Sequence, residues 1–175
     1  MGRKLLNAAL FQVAWFAAVL GAAKGMPWLG PLTMLPVLGI NLTTAENRSG
    51  EIKLLVAAGI LGFVFDTALV MFGVFLPVPN LFPRPFSPPW MVCLWLNFAA
   101  TLNVSLGWLR ERYLLAVIFG AIGGPLAYYS GAKLGATMTL PSLGGMLILT
   151  LGWGMMTPVL VWLAHALTDG KKTTV

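Results

Sequence analysis

Apolar runs close to 20 residues long recur along the whole 175-residue chain, and they constrain its fold more than any other feature. An α-helix rises 1.5 Å per residue, so about 20 apolar residues cross the roughly 30 Å of hydrocarbon in a bilayer. Only 9% of the residues are charged and 58% are hydrophobic, which leaves too few polar side chains to cover a water-soluble domain. The sequence therefore predicts an integral membrane protein.

Six such runs predict an all-α fold, a compact bundle of about six transmembrane helices forming a single domain over residues 1–175. The predicted helices cover residues 5–23, 27–44, 54–76, 90–109, 113–132 and 142–167. Pro31 and Pro36 interrupt the second run, so this segment either spans the membrane or dips into it and returns.

Basic residues at the ends of the apolar runs predict the orientation of the bundle. With a cytoplasmic N-terminus, the inner side carries Arg3, Lys4, Arg48, Lys53, Arg110, Arg112, Lys171 and Lys172, and the outer side carries Lys24, Arg84 and Lys133. Cytoplasmic loops are enriched in lysine and arginine, so we expect both termini in the cytoplasm. The same placement explains the net charge of +6 without nucleic acid as a partner.

A proline-rich outer loop is predicted at residues 77–89, where six of thirteen residues are proline, with Phe82 and Phe86 between them and Trp90 directly after. Proline restricts the backbone and needs no amide partner, so the loop should be stiff. It is interpreted either as an inert connector at the membrane interface or as a lid over a cavity.

Residue counts exclude several kinds of site. One cysteine, Cys93, and one histidine, His165, cannot build a disulfide or a Cys/His metal centre within one copy of the chain. Phosphate-loop, zinc-protease and nucleophile-elbow motifs do not occur. The sequence therefore predicts no metal, no cofactor and no catalytic residue.

The third predicted helix carries a lone acid, Asp66, within an apolar stretch. At 100° per residue, Gly59 and Gly62 share its face, and small residues are where membrane helices approach each other closely. A charged aspartate in mid-membrane costs about 2.5–3.5 kcal/mol. No basic residue is predicted at its depth, so we expect Asp66 to lie between helices, uncharged, and to donate a hydrogen bond.

The fourth predicted helix offers an acceptor, since Asn97, Thr101 and Ser105 follow one another at four-residue spacing. Their depth predicts a contact between Asp66 and Asn97 or Thr101, within one helical turn. The cluster of Asp66, Asn97, Thr101 and Ser105 is interpreted either as a proton-carrying or ligand-binding site or as a hydrogen bond that fixes helix register.

Five further residues are secondary candidates. Asn103 is expected to face Gln12 of the first helix, which lies at a similar depth. Tyr128, Tyr129 and Lys133 end the fifth helix, where they form either an aromatic belt with a snorkelling lysine or a site for an anionic head group.

Several segments resemble a known family: LLNAALFQVAWFAAVLGAA at the start, Asp66 with its flanks, LWLNFAATLNVSLGWLR from residue 94, and AVIFGAIGGPLAYYSGAKLGA from residue 116. They look like a family of small bacterial inner-membrane proteins known only as a domain of unknown function. The resemblance covers nearly the whole chain and implies location in the bacterial cytoplasmic (inner) membrane. It carries over no catalytic residue, and it implies that such proteins are often encoded beside lipid-modifying enzymes of the cyclopropane-fatty-acid-synthase type.

Two classes of function remain open. The first is a non-enzymatic, multi-pass membrane protein, either an accessory subunit in membrane-lipid modification or a small carrier of a lipophilic or protonated solute. The second is a membrane-embedded enzyme acting on a lipid or isoprenoid chain, with Asp66 as the acid and a second titratable group beside it. The expected partners are membrane lipids and either a lipid-modifying enzyme or a second copy of the chain.

Overall fold

A computed structural model describes residues 1–78 and 83–168, and within these ranges the chain is helical with no β-strand. The helices are α1 Gly2–Ala23, α2 Leu29–Thr44, α3 Arg48–Met71, α4 Pro89–Leu102, α5 Tyr113–Lys133 and α6 Leu143–Thr168. The predicted all-α fold with six helices is confirmed. What was predicted for residues 79–82 of the proline-rich loop, and for Lys171 and Lys172, lies outside the described residues.

Four of the helices, α1, α3, α5 and α6, are long and apolar enough to cross a membrane. The helices α2 and α4 are apolar but shorter, with 16 and 14 residues. The chain is therefore a membrane protein with four candidate spans and two shorter helices packed among them.

The bounds of α3 differ from the prediction because capping groups set both ends. Asn47 caps its start by accepting a hydrogen bond from the Gly50 amide at 2.9 Å, so the helix begins six residues before the predicted apolar run. It ends at Met71 because Gly73 adopts a positive φ of 66° and the next amide, that of Val74, turns back to the Leu69 carbonyl.

The predicted end of α4 at residue 109 was also wrong, because the helix ends at Leu102. The amides of Val104 and Leu106 both bond to the Thr101 carbonyl, and a short 3-10 turn follows at Gly107–Leu109. This folded segment lies between α4 and α5 and brings polar side chains back under the bundle.

The central helix is α4, which packs against α1, α2, α3 and α6. Helix α5 packs against α6 at two glycines of α5. A Cβ on Gly124 would lie 2.1 Å from the Trp153 ring, and a Cβ on Gly120 would lie 2.2 Å from the Thr157 hydroxyl. Close glycine packing of this kind is typical of membrane helices.

Successive helices run in opposite directions, which gives the bundle two ends. At the Arg3 end lie the start of α1 and α3 and the finish of α2, α4 and α6. At the opposite, loop end, the segment after α3 pairs with the α5–α6 connection through the hydrogen bonds Val78 to Ala136 and Met138 to Leu76. The cytoplasmic placement of the Arg3 end stays a prediction.

Candidate functional site

Asp66 is fully buried, with 0% of its surface exposed, and both oxygens of its side chain accept hydrogen bonds. The indole Nε1 of Trp95 donates to Oδ2 at 2.9 Å. The hydroxyl of Tyr128 donates to Oδ1. One carboxyl on α3 thus joins α4 and α5.

Gly62 makes this arrangement sterically possible. It lies one turn before Asp66 on α3, and a Cβ there would come within 2.1 Å of the Trp95 ring. Gly59 is buried on the same face. The predicted glycine face of α3 is therefore turned into the protein with Asp66, and it receives an indole ring.

The predicted hydrogen bond from Asp66 to Asn97 or Thr101 is wrong. Asn97 donates to the Phe11 carbonyl of α1 at 2.9 Å, and Thr101 donates to the Phe98 carbonyl within its own helix at 2.6 Å. The reason is angular: Asn97 is two residues from Trp95, so their side chains point about 200° apart around α4. The face turned toward Asp66 is the face of Trp95.

Ser105 likewise faces α1, from a position beyond the end of α4. Its hydroxyl donates to the Asn7 side chain at 2.6 Å, and the Asn7 amide donates to the Ala100 carbonyl at 3.1 Å. The predicted ridge of Asn97, Thr101 and Ser105 thus exists in part as a connection between α4 and α1, separate from Asp66.

Aromatic rings surround the Asp66 carboxyl. The indoles of Trp95 and Trp153 stack with ring centroids 4.5 Å apart and planes 16° apart. The rings of Phe98 and Tyr128 meet Trp153 edge-on at 5.6 Å and 6.3 Å. A small cavity of about 80 Å³ lies among these rings and is lined mostly by apolar atoms.

A larger groove of about 870 Å³ runs between α1 and α5, with Phe98 and Trp153 from α4 and α6 also lining it. It shares Phe11, Trp15, Phe98, Ala127 and Trp153 with the small cavity, so the two spaces adjoin. Its lining includes five residues that the sequence singled out: Gln12, Thr101, Ser105, Tyr129 and Lys133. The structure therefore brings these side chains together along one groove, separate from the Asp66 hydrogen bonds.

Comparison with known families identifies the chain. The family model described as "Protein of unknown function (DUF2878)" matches residues 4–159. The chain belongs to the DUF2878 family. No curated protein and no solved structure matches it. Membership confirms the resemblance seen in the sequence, and the family description assigns no activity.

In this DUF2878 protein the two neighbouring tyrosines of α5 have different environments. Tyr128 is buried against Asp66, so its assignment to an interfacial belt was wrong. Tyr129 is exposed beside the groove, and the Lys133 ammonium lies 5.5 Å from its ring centroid. The interfacial placement of Tyr129 and Lys133 stays a prediction.

Asn103 does not pair with Gln12, as was predicted, but with Glu51 of α3. Its amide donates to Glu51 Oε2 at 2.7 Å, and its carbonyl accepts from Arg110 at 3.2 Å. Sequence reasoning missed Glu51 because the predicted apolar run begins after it. A capping residue, Asn47, directly before the sequence RSGE was the available signal, since an acid in the first helical turn follows such a cap.

The aromatic partners of Asp66 were also missed. Trp95 was treated as an ordinary apolar residue and Tyr128 was expected at the membrane interface, although Gly62, one turn before Asp66, leaves room for a large ring on this face. Within residues 1–78 and 83–168, no group of three histidine, cysteine or acidic side chains could hold a metal ion.

Proposed function

We propose that the protein is a non-enzymatic protein of the bacterial inner membrane that binds a lipophilic chain, such as a lipid acyl chain, in the groove between α1 and α5. The supporting observation is the groove itself, about 870 Å³ in volume, mostly apolar, and adjoining the aromatic cavity beside Asp66. In this role it serves membrane-lipid modification as an accessory subunit or carries a lipophilic solute.

The lining of the groove suits a lipid with an anionic head group. Inside a bilayer, apolar contact alone does not favour protein over surrounding lipid, so selectivity must come from shape and from polar groups at defined places. The aromatic rings of Phe98 and Trp153 supply a rigid wall, and Ser130 and Lys133 lie at the loop end, where a head group would be. A chain of matching length would place its acyl part against the rings and its charge beside Lys133.

The hydrogen bonds of Asp66 favour the accessory role over the carrier role. Its two oxygens already have donors and it has no exposed surface, so it positions the rings of Trp95 and Tyr128 that line the cavity. An asparagine at this position retains one acceptor for Trp95 and one donor for the Tyr128 oxygen. The accessory role therefore predicts that Asp66→Asn preserves function, whereas proton-coupled transport would collapse.

The groove can be tested by filling it without disturbing its walls. A Cβ on Gly123 meets no atom within 4 Å and projects along the groove lining, so Gly123→Leu should block the groove and leave the fold intact. Gly39 on α2 is equally open and lies away from the groove, so Gly39→Leu is the matched control.

The measurement is photocrosslinking of purified protein in vesicles that contain a phospholipid with a photoreactive acyl chain. Wild type and Gly39→Leu should crosslink at α1 and α5 residues facing the groove, and Gly123→Leu should lose those crosslinks severalfold. Equal labelling of all three proteins would refute the proposal. Lipid analysis of a deletion strain complemented with wild type, Gly123→Leu or Asp66→Asn then separates the accessory and carrier roles.

A membrane-embedded enzyme remains the second candidate because of one observation. It needs a second titratable group beside Asp66, and the Tyr128 hydroxyl is hydrogen-bonded to that carboxyl. Glu111 and His165 do not supply it, since Glu111 precedes α5 and His165 lies in the last turn of α6, both toward the Arg3 end. An enzyme would lose lipid conversion in Tyr128→Phe while retaining the groove crosslinks; unchanged conversion would exclude Tyr128 as its acid.

A further inference from the structure

A second, polar pocket lies at the Arg3 end of the bundle and has a volume of about 340 Å³. It is formed where the ends of α1, α2, α3, α4 and α6 meet. Arg3, Lys4, Asn41, Glu51 and Asn103 are among its lining residues. None of its lining residues belongs to the groove between α1 and α5.

Two buried oxygens on residues that line this pocket accept no hydrogen bond from the residues that the structure describes. Glu51 is 3% exposed; its Oε2 accepts from Asn103, and its Oε1 has no partner. Asn41 is 5% exposed; its amide donates to the Ala100 carbonyl at 3.0 Å, and its Oδ1 has no partner. The Asn41 side chain lies beside the Glu51 carboxylate. Buried acceptors are normally paired, so this pair of oxygens indicates a place for a donor-rich group.

We propose that the pocket binds a primary ammonium group with a neighbouring phosphate, the chemistry of phosphoethanolamine. An alkylammonium carries three N–H donors and no acceptor, which matches an unpaired carboxylate oxygen and an unpaired amide oxygen on neighbouring side chains. Arg3 and Lys4 line the same pocket and supply the positive charge that a phosphate requires.

The mixed charge of the pocket distinguishes this ligand from a bare metal ion. Ca²⁺ takes six to eight oxygen ligands, whereas the pocket is lined by two acids, Glu46 and Glu51, and by three basic residues, Arg3, Lys4 and Arg110. Arg110 has a positioning role in the pocket. It donates hydrogen bonds to the Asn103 side chain and, at 3.0 Å, to the Thr168 hydroxyl, and so it orients Asn103 toward Glu51.

The first experiment compares head groups on the wild-type chain in an uncharged maltoside detergent. Phosphoethanolamine and phosphocholine carry the same charges, but the trimethylammonium of choline has no N–H donor. Calorimetric titration should show phosphoethanolamine binding at least about tenfold more tightly, as expected for a charge-assisted hydrogen bond. Equal binding of the two, or binding of neither, overturns the proposal.

Variants then assign the two halves of the ligand. Glu51→Gln should weaken phosphoethanolamine binding about tenfold, and Glu111→Gln, an exposed acid outside the pocket, should leave it unchanged. Arg3→Gln should weaken phosphoethanolamine but not plain ethanolamine. Unchanged binding in Glu51→Gln overturns the proposal. Should that variant fail to fold, the head-group comparison on wild type decides.

The source of the head group is settled by a parallel measurement in lipid nanodiscs. Retention of phosphatidylethanolamine over phosphatidylcholine in native mass spectrometry identifies a lipid ligand, and binding of soluble phosphoethanolamine without that preference identifies a free one. Gly123→Leu should change neither result, so failure of the groove proposal and failure of this one are distinguishable.

Discussion

Two acids on the same helix, Asp66 and Glu51, are both buried and yet differ in how their oxygens are used. They are fifteen residues apart on α3, about 22 Å along its axis. Both oxygens of Asp66 accept hydrogen bonds from ring donors, whereas Glu51 has one bonded oxygen and one without a donor. Asp66 lies among aromatic rings, and Glu51 faces a polar pocket.

The difference separates two uses of a buried carboxyl group. When the protein itself supplies donors to both oxygens of a buried carboxyl group, that group has a structural role. For Asp66 this role is to hold the rings of Trp95 and Tyr128. A buried carboxyl group with an unpaired oxygen on the wall of a pocket can still accept a hydrogen bond from a ligand. Burial alone therefore does not distinguish the two acids; the unpaired oxygen of Glu51 does.

Removal of the Asp66 side chain should give the largest effect. In Asp66→Ala the buried donors of Trp95 and Tyr128 lose their acceptors, at about 1–3 kcal/mol each, so unfolding should become about 2–6 kcal/mol easier. Asp66→Asn should cost much less, because it keeps both bonds. Reversible unfolding in detergent micelles measures the two. Equal losses would show that charge, and not hydrogen bonding, is what matters at this position.

Filling the space that Gly62 leaves for Trp95 should cause the next largest loss of stability. The methyl group of Gly62→Ala would overlap the indole, and overpacking of this kind typically costs about 1–3 kcal/mol. Gly123→Ala, at an open position, is the matched control and should not destabilise the protein. The same unfolding measurement applies, and a neutral Gly62→Ala would mean that Trp95 can move away without loss.

Tyr128→Phe should have a smaller effect because it removes one of the two donors to Asp66 and keeps the ring packing. A loss of about 1–2 kcal/mol is expected for a hydrogen bond to a buried acid. A double-mutant cycle with Asp66→Ala, which removes the carboxyl group that Tyr128 bonds, isolates the pairwise part. Additive losses in that cycle would contradict a direct interaction between the two side chains.

Glu51→Gln should have the smallest effect on stability, below about 1 kcal/mol. Glutamine keeps an acceptor for Asn103, and the oxygen it gives up had no donor to lose. Thermal unfolding without added ligand measures this. A loss as large as that of Asp66→Ala would remove the contrast between the two acids and make Glu51 a structural residue.

The sequence predicted the helices and the burial of Asp66, because both follow from periodicity and hydropathy. It did not predict the partners of Asp66. Asn97 and Thr101 were predicted as partners because they are polar and lie at a similar depth. The rotation of α4 about its own axis, however, decides which of its side chains face α3. That rotation is set by the fit of the Trp95 ring over Gly62, a tertiary contact that no local pattern encodes.

Glu51 escaped prediction for a different reason. The predicted third helix began at residue 54, so Glu51 fell outside it and was not considered as a packed residue. Its partner, Asn103, reaches it only because α4 ends at Leu102 and the following segment folds back under the bundle. The early end of α4 and the reversal of the chain after it depend on tertiary contacts, so the sequence carries only a weak signal for them.

The shortness of α4 has a consequence for the surrounding bilayer. Its fourteen residues extend about 21 Å, whereas the twenty-two residues of α1 beside it extend about 33 Å. Because α4 stops at Leu102, the polar pocket lined by Arg3, Glu51 and Asn103 forms a recess beyond that end, between longer neighbouring helices. Water or a lipid head group in that recess would lie several ångströms closer to the bilayer midplane than at a flat membrane surface. The hydrocarbon layer would therefore be thinner at this place.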